Sequence, residues 1–181
     1  MKKLAIVASL AVVFGSAGMA QAASTGTITF EGELTANTCD VIVDGQDADA
    51  TVILPTVGTN QLNGAGITAG DTGFSMALNN CSGTLSTASA FFEAGASVDP
   101  TTGRLKNLTG TASNVSLQLL DASNASQEVI QAGNANQVTN TTYVDVSGGS
   151  ASLPYTVRYF AEAVTSPGTV ISNVVYSIQY Q

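Results

Sequence analysis

Residues 168–181 read Gly-Thr-Val-Ile-Ser-Asn-Val-Val-Tyr-Ser-Ile-Gln-Tyr-Gln, and this stretch decides the fold class. Side chains of an extended chain alternate between two faces, so Val170, Val174, Tyr176, Ile178 and Tyr180 share one face of a strand that starts at Gly168. The strand stops one residue short of the last position of the sequence, leaving no following chain to cover its outer edge. An uncovered edge invites another strand to pair with it. The expectation is a β fold whose last strand is filled by something else.

The same period of two recurs upstream. Thr27 to Leu34 sets Ile28, Phe30 and Leu34 on one side and Thr27, Thr29, Glu31 and Glu33 on the other. Phe74, Met76 and Leu78 alternate ahead of Cys81, Val115, Leu117 and Leu119 alternate with Ser116, Gln118 and Leu120, and Tyr155, Val157 and Tyr159 follow suit. Turn-forming stretches at Asn60–Gly73, Asp99–Gly103 and Ser147–Ser150 punctuate these runs. Short strands with such punctuation predict an all-β sandwich or barrel. The helical candidates, a turn or two near Ala48–Thr51 or Gly64–Gly70, are weak, and no fixed repeat points to a solenoid or propeller. Pro154 reads as a strand start, a position that tolerates proline. Arg158, out of phase with its apolar neighbours, is expected to face solvent or an acid.

The chain has 181 residues, the length of one domain. Lys2 and Lys3, an apolar run from Leu4 to Phe14 and the small-x-small triplet Ala20-Gln21-Ala22 read as a secretory signal over residues 1–22, with cleavage after Ala22 or Ala23. The apolar run is too short for a membrane span, and the mature chain has no other run long enough. Without Lys2 and Lys3 the formal charge falls from −8 to −10, three bases against thirteen acids. That balance excludes nucleic acid, which requires clustered Lys and Arg against phosphate. The chain has no His, which excludes Ser-His-Asp and Cys-His catalysis and His-ligated metal. Cys39 and Cys81, an even pair in an exported protein, predict one disulfide.

Sharper chemical readings fare poorly. Asp44-Gly-Gln-Asp47-Ala-Asp49 lacks the alternating acids and closing Glu of a calcium loop and reads as a solvated loop. Carboxylate pairs could serve a glycosidase, but Trp is absent and no aromatic platform for a sugar is evident. Tyr155, Tyr159, Tyr176 and Tyr180 read as core or groove residues with hydroxyls near the rim rather than as a ligand-stacking surface. The Asn-x-Ser/Thr triplets at Asn107, Asn114, Asn124 and Asn140 are expected by chance in a chain rich in these residues. The reading is therefore of a non-enzyme with no cofactor, no catalytic residues and no metal ligands.

One set of residues resembles a known family. The segment Gly26-Thr-Ile-Thr-Phe-Glu-Gly-Glu-Leu34 is followed by Cys39, Phe74-x-Met-x-Leu-x-x-Cys81, Asn114-Val-Ser-Leu-Gln-Leu-Leu-Asp121, Arg158-Tyr-Phe-Ala161 and the ending Tyr176-Ser-Ile-Gln-Tyr-Gln181. With a penultimate Tyr180 and Gly168 fourteenth from the end, this order resembles the pilins of the chaperone–usher pathway, especially major subunits of type 1-like fimbriae. The resemblance implies an incomplete immunoglobulin-like sandwich, body residues 37–181, completed by a donor strand from another subunit. Residues 23–36 would be the N-terminal extension, with Ile28, Phe30 and Leu34 plugging the preceding subunit's groove and Gly32 at the position the family keeps small. Gly168, Val170, Val174, Tyr176, Ile178 and Tyr180 would form the acceptor groove that a chaperone recognises. The implied partners are identical subunits in a homopolymer, a periplasmic chaperone, an outer-membrane usher and a separate tip adhesin, on a fimbria at the cell surface. A minor adaptor or adhesive subunit, and a self-contained secreted glycan-binding module, remain the alternatives.

Overall fold

The computed structural model describes residues 26–32, 34, 36 and 38–181. The signal over residues 1–22, its cleavage site and Glu33 of the extension lie outside the described residues. Leu34–Gln181 form one compact unit of two β-sheets.

The larger sheet contains β1 (Thr38–Val43), β2 (Thr68–Ser82), β4 (Leu105–Lys106), β5 (Val115–Asp121), β6 (Val129–Ile130) and β8 (Ala151–Ala161). Its order is β1-β2-β8-β5-β4, all antiparallel, with β6 pairing the end of β5 that β4 leaves free. The smaller sheet has the order β7-β3-β9, from β3 (Thr87–Phe92), β7 (Val144–Asp145) and β9 (Tyr176–Tyr180). Alternation supplies the core between them: Met76 and Leu78 of β2, Leu153, Tyr155 and Val157 of β8, and Leu117 and Leu119 of β5 join Ala88, Ala90 and Phe92 of β3 in one buried cluster. The Tyr155 hydroxyl accepts from the Ala90 amide at 3.1 Å, and its ring meets Phe92 edge-on at 5.1 Å. A buried phenol thus gains a partner while filling volume. The disulfide joins Cys39 of β1 to Cys81 of β2, with a Cα–Cα separation of 4.1 Å.

Several sequence expectations need correction. The turn-rich stretch ends before Gly73, because β2 begins at Thr68; the glycines misled because Gly70 forms a bulge, with φ +71° and a shift of register between Ala69 and Thr72. A Cβ at Gly70 would lie 2.9 Å from the Tyr159 ring. All seven residues of β5 are buried, so both its faces are covered despite the alternation. Neither weak helical candidate is helical, and the one α-helix among the described residues is the single turn α1 (Gln137–Asn140). Pro154 sits fourth in β8 rather than at its start. The C-terminal run is a paired strand over Tyr176–Tyr180 alone, although its alternation extends further back, as described below. Residues 26–32 carry no strand within this chain.

Arg158 is half-buried and donates two hydrogen bonds to Gln118 Oε1, at 2.9 and 2.7 Å, with Asp71 3.6 Å away. Arg104 forms a fork with Glu162, both bonds at 2.9 Å, and its guanidinium lies 4.0 Å above the Phe160 ring. Desolvation acts to raise the Glu162 carboxyl, but Arg104 and the Ser116 hydroxyl together bring it below its ordinary value. A depressed carboxylate stabilises the fold above its unfolded pKa, and that contribution is lost as the pH falls through the folded value. The expected result is that Glu162→Gln lowers the melting temperature at about pH 7 and that its difference from the native chain closes towards about pH 3. Thermal melts of both proteins across that range check it.

Candidate functional site

The C-terminal segment builds one wall of a long groove. Val170, Ser172, Val174, Tyr176, Ile178 and Tyr180 are half-buried, as is Gln179, while Ile171, Asn173, Val175 and Ser177 between them are exposed. The alternation read from the sequence therefore runs from Val170 to Tyr180, although a ladder with β3 forms only over Tyr176–Tyr180. Ahead of β9 the odd-numbered residues are held by irregular partners: Val175 O accepts from Glu93 N, Ile171 O from Leu108 N and Thr169 O from Ala112 N. Gly168 stands at the head of this wall because the chain passes too close for a side chain; a Cβ there would lie 2.4 Å from Ala112 N.

Backbone direction matters as much as side-chain direction. Amide and carbonyl groups of a strand alternate between its two edges. Val175 and Gln181 point theirs toward β3. The even-numbered residues accordingly turn theirs to the opposite edge, where no strand lies beside β9 among the described residues. The backbone groups of Val170, Ser172 and Val174 take no hydrogen bond among the described residues.

The facing wall is an extended segment that sequence reasoning missed. Val52, Leu54 and Val57 are half-buried, whereas Ile53 is 84% exposed. The alternation is too short, and too close to Pro55, to read as a strand from sequence. Between the walls lie two cavities, about 440 Å³ beside Val52, Leu54 and Val174 and about 570 Å³ beside Val57, Gly168 and Val170. Phe74, Met76, Leu117 and Val157 floor the first. A third space of about 60 Å³ lies where Tyr180 meets the Cys39–Cys81 bridge. The groove between the walls is thus open to water, while Met76, Leu117 and Val157 on its floor stay buried. The Tyr176 hydroxyl ties across, donating to Ala48 O at 2.8 Å, and Tyr159 of β8 donates to Pro55 O at 3.2 Å. Desolvation, with Asp49 and Asp47 nearby, raises the Tyr176 phenol above its ordinary value, so it remains a neutral donor.

The structure therefore brings Gly168, Val170, Val174, Tyr176, Ile178 and Tyr180 together on one wall and joins Cys39 to Cys81. Ile28, Phe30 and Leu34 are instead 77, 88 and 102% exposed, and the space around Gly32 is open. Asp44, Asp47 and Asp49 are exposed, and no group of acids, Cys or His able to hold a metal occurs among the described residues. No helix among them is long and apolar enough to cross a membrane.

Known proteins resemble this chain in sequence and in fold. The profile of the family described as "FimA: Type-1 fimbrial protein, A" matches residues 54–181. The chain is 41% identical over 172 residues to the major fimbrial subunit SMF-1 of Stenotrophomonas maltophilia, covering 93% of this chain and 99% of the relative. It is 32% identical over 189 residues to the type-1 fimbrial protein A chain of Escherichia coli, covering 99% and 98% respectively. Among solved structures, that of the P pilus rod subunit PapA superposes with a TM-score of 0.60 at 16% identity, covering 79% of this chain and 99% of the other. That likeness is one of fold, the immunoglobulin-like sandwich of pilins.

Proposed function

Because this chain belongs to the type-1 fimbrial protein family, a family of non-enzymatic structural pilins, we propose that it is the repeating subunit of a fimbrial shaft on the cell surface, polymerising by donor-strand exchange. Residues 1–22 are removed on export, residues 23–36 serve as donor, and the body from residue 37 serves as acceptor. A periplasmic chaperone holds the groove of Gly168–Tyr180 until an outer-membrane usher exchanges it for the next subunit's extension, and a separate tip adhesin carries receptor binding.

The observation that carries this reading is the open edge. A wall of alternating side chains, with its even-numbered backbone groups turned to an edge that no strand among the described residues covers, matches what an exposed segment bearing Ile28, Phe30 and Leu34 supplies. Burying those three side chains contributes about 1.5–3 kcal/mol each. About ten new backbone hydrogen bonds add roughly 0.5–1.5 kcal/mol apiece. Ordering the extension costs about 1–2 kcal/mol per residue and offsets much of this, so the margin comes from closing the acceptor's core. An adaptor would share donor and groove but occur in trace amounts. Fibres sheared from cells and dissociated should therefore consist mainly of this chain, beginning at Ala23 or Ser24. A trace amount would assign it to an adaptor, and its absence would remove it from the fibre.

A further inference from the structure

Asn63-Gly64 is the single Asn-Gly pair in the sequence, and the fold leaves it in an exposed connection rather than in a ladder. It lies between the 3-10 turn Thr59–Gln61 and β2, and the chain is anchored on either side of it. Leu62 is buried, and its carbonyl accepts from Thr165 N at 3.3 Å and from Thr165 Oγ1 at 3.1 Å. Gly66 N donates to Ala161 O at 2.8 Å. Between these anchors Asn63 is exposed, and neither its side-chain amide nor the Gly64 N–H makes a hydrogen bond among the described residues. Other asparagines are engaged. Asn107 Oδ1 accepts from Gly110 N and Ile171 N, Asn114 Nδ2 donates to Val164 O, and Asn136 Nδ2 donates to Gln131 Oε1.

We propose that Asn63 is a site of spontaneous self-modification, in which the Gly64 nitrogen closes onto the Asn63 side chain and the amide becomes an acid. Gly64 N, held by no acceptor, loses its proton to base and attacks Asn63 Cγ. The new N–Cγ bond closes a cyclic imide, and Nδ2 leaves as ammonia. Water then opens the ring at one of two bonds. Cleavage of N–Cγ gives an aspartate. Cleavage between that nitrogen and the main-chain carbonyl carbon of residue 63 gives an isoaspartate, whose backbone runs through the side chain. Each event consumes a water and releases an ammonia, and nothing is oxidised or reduced. Glycine makes the closure easy, because a residue without Cβ turns freely to bring its nitrogen onto Cγ, whereas a side chain at position 64 crowds the approach. Either product adds a negative charge to a chain whose formal charge is already −8. The isoaspartate also lengthens the main chain between the Leu62 and Gly66 anchors, so residues 63–65 must bow outward or release Thr165 or Ala161.

Ageing the folded full chain at neutral and at mildly alkaline pH tests the site. Peptide mass spectrometry should find the amide-to-acid mass gain at position 63, growing with time and faster at the higher pH, with Asn107, Asn114 and Asn136 unchanged. A methyltransferase specific for isoaspartate should label the same peptide, and isoelectric focusing should show a more acidic band. Asn63→Gln should remove both label and band. Gly64→Ala should slow the conversion by about tenfold or more, a barrier increase of about 1.4 kcal/mol. That variant should fold normally, because a Cβ at Gly64 meets only Ile67 Cδ1, at 3.5 Å. An intact Asn63 in the aged folded chain, whether or not other asparagines react, overturns the proposal. Conversion of Gly64→Ala at the native rate overturns ring closure by the Gly64 nitrogen.

Discussion

Phe30→Asp is expected to abolish polymerisation and to leave export intact. Phe30 is 88% exposed, so it buries little apolar surface that its replacement could remove. In the assembled fibre the same side chain would be buried, forfeiting about 1.5–3 kcal/mol of apolar burial on mutation. Placing a carboxylate in that apolar groove costs several kcal/mol more. Each 1.4 kcal/mol is tenfold, so a combined loss of about 5 kcal/mol or more weakens each junction by over a thousandfold. Cells producing the variant should hold soluble subunit in the periplasm and show no surface fibres by electron microscopy. Normal fibres from Phe30→Asp would remove residues 23–36 from the role of donor.

Replacing both cysteines, Cys39→Ser with Cys81→Ser, should cost about 4 kcal/mol, since the bridge closes a separation of 42 residues. Small domains are stable by only about 5–15 kcal/mol, so this is a large share of the total. The expected fall in melting temperature is roughly 10–15 °C. The bridge also pins β1 to β2 beside Tyr180, where the groove ends, so its loss should loosen the groove as well as the domain. Melts of the native and doubly substituted proteins under oxidising conditions check this. A drop of only a degree or two would mean that the β1–β2 ladder alone holds this edge.

Most of the fold was legible because alternation and the inner face coincide in β2, β8 and the C-terminal wall. Phe74, Met76, Leu78, Tyr155, Val157, Tyr176 and Ile178 all face where their phase places them. The reading failed where a second influence overrode local pattern. Gly70 and Gly73 look like turn residues, yet a bulge uses the left-handed backbone of Gly70 inside a strand. In β5, Ser116 and Gln118 alternate with apolar residues, yet they too are buried, hydrogen-bonded to Glu162 and Arg158. Gln137 carried no helical periodicity. It is buried in a single turn because its amide pairs with both backbone groups of Phe92, a long-range demand that no local window records. One wall of the groove was visible in residues 168–181, but the facing wall was not. Val52 and Leu54 acquire meaning only once the groove between them and Val174 exists.

The most direct measurement compares thermal melts of the body, Asn37–Gln181, with the same body carrying Thr25–Ala36 appended through a flexible linker. If the sandwich lacks a strand that the extension supplies, the bare body is unstable or aggregates and the extended one melts cooperatively at much higher temperature. Identical melts would show the domain to be complete by itself and would contradict donor-strand polymerisation.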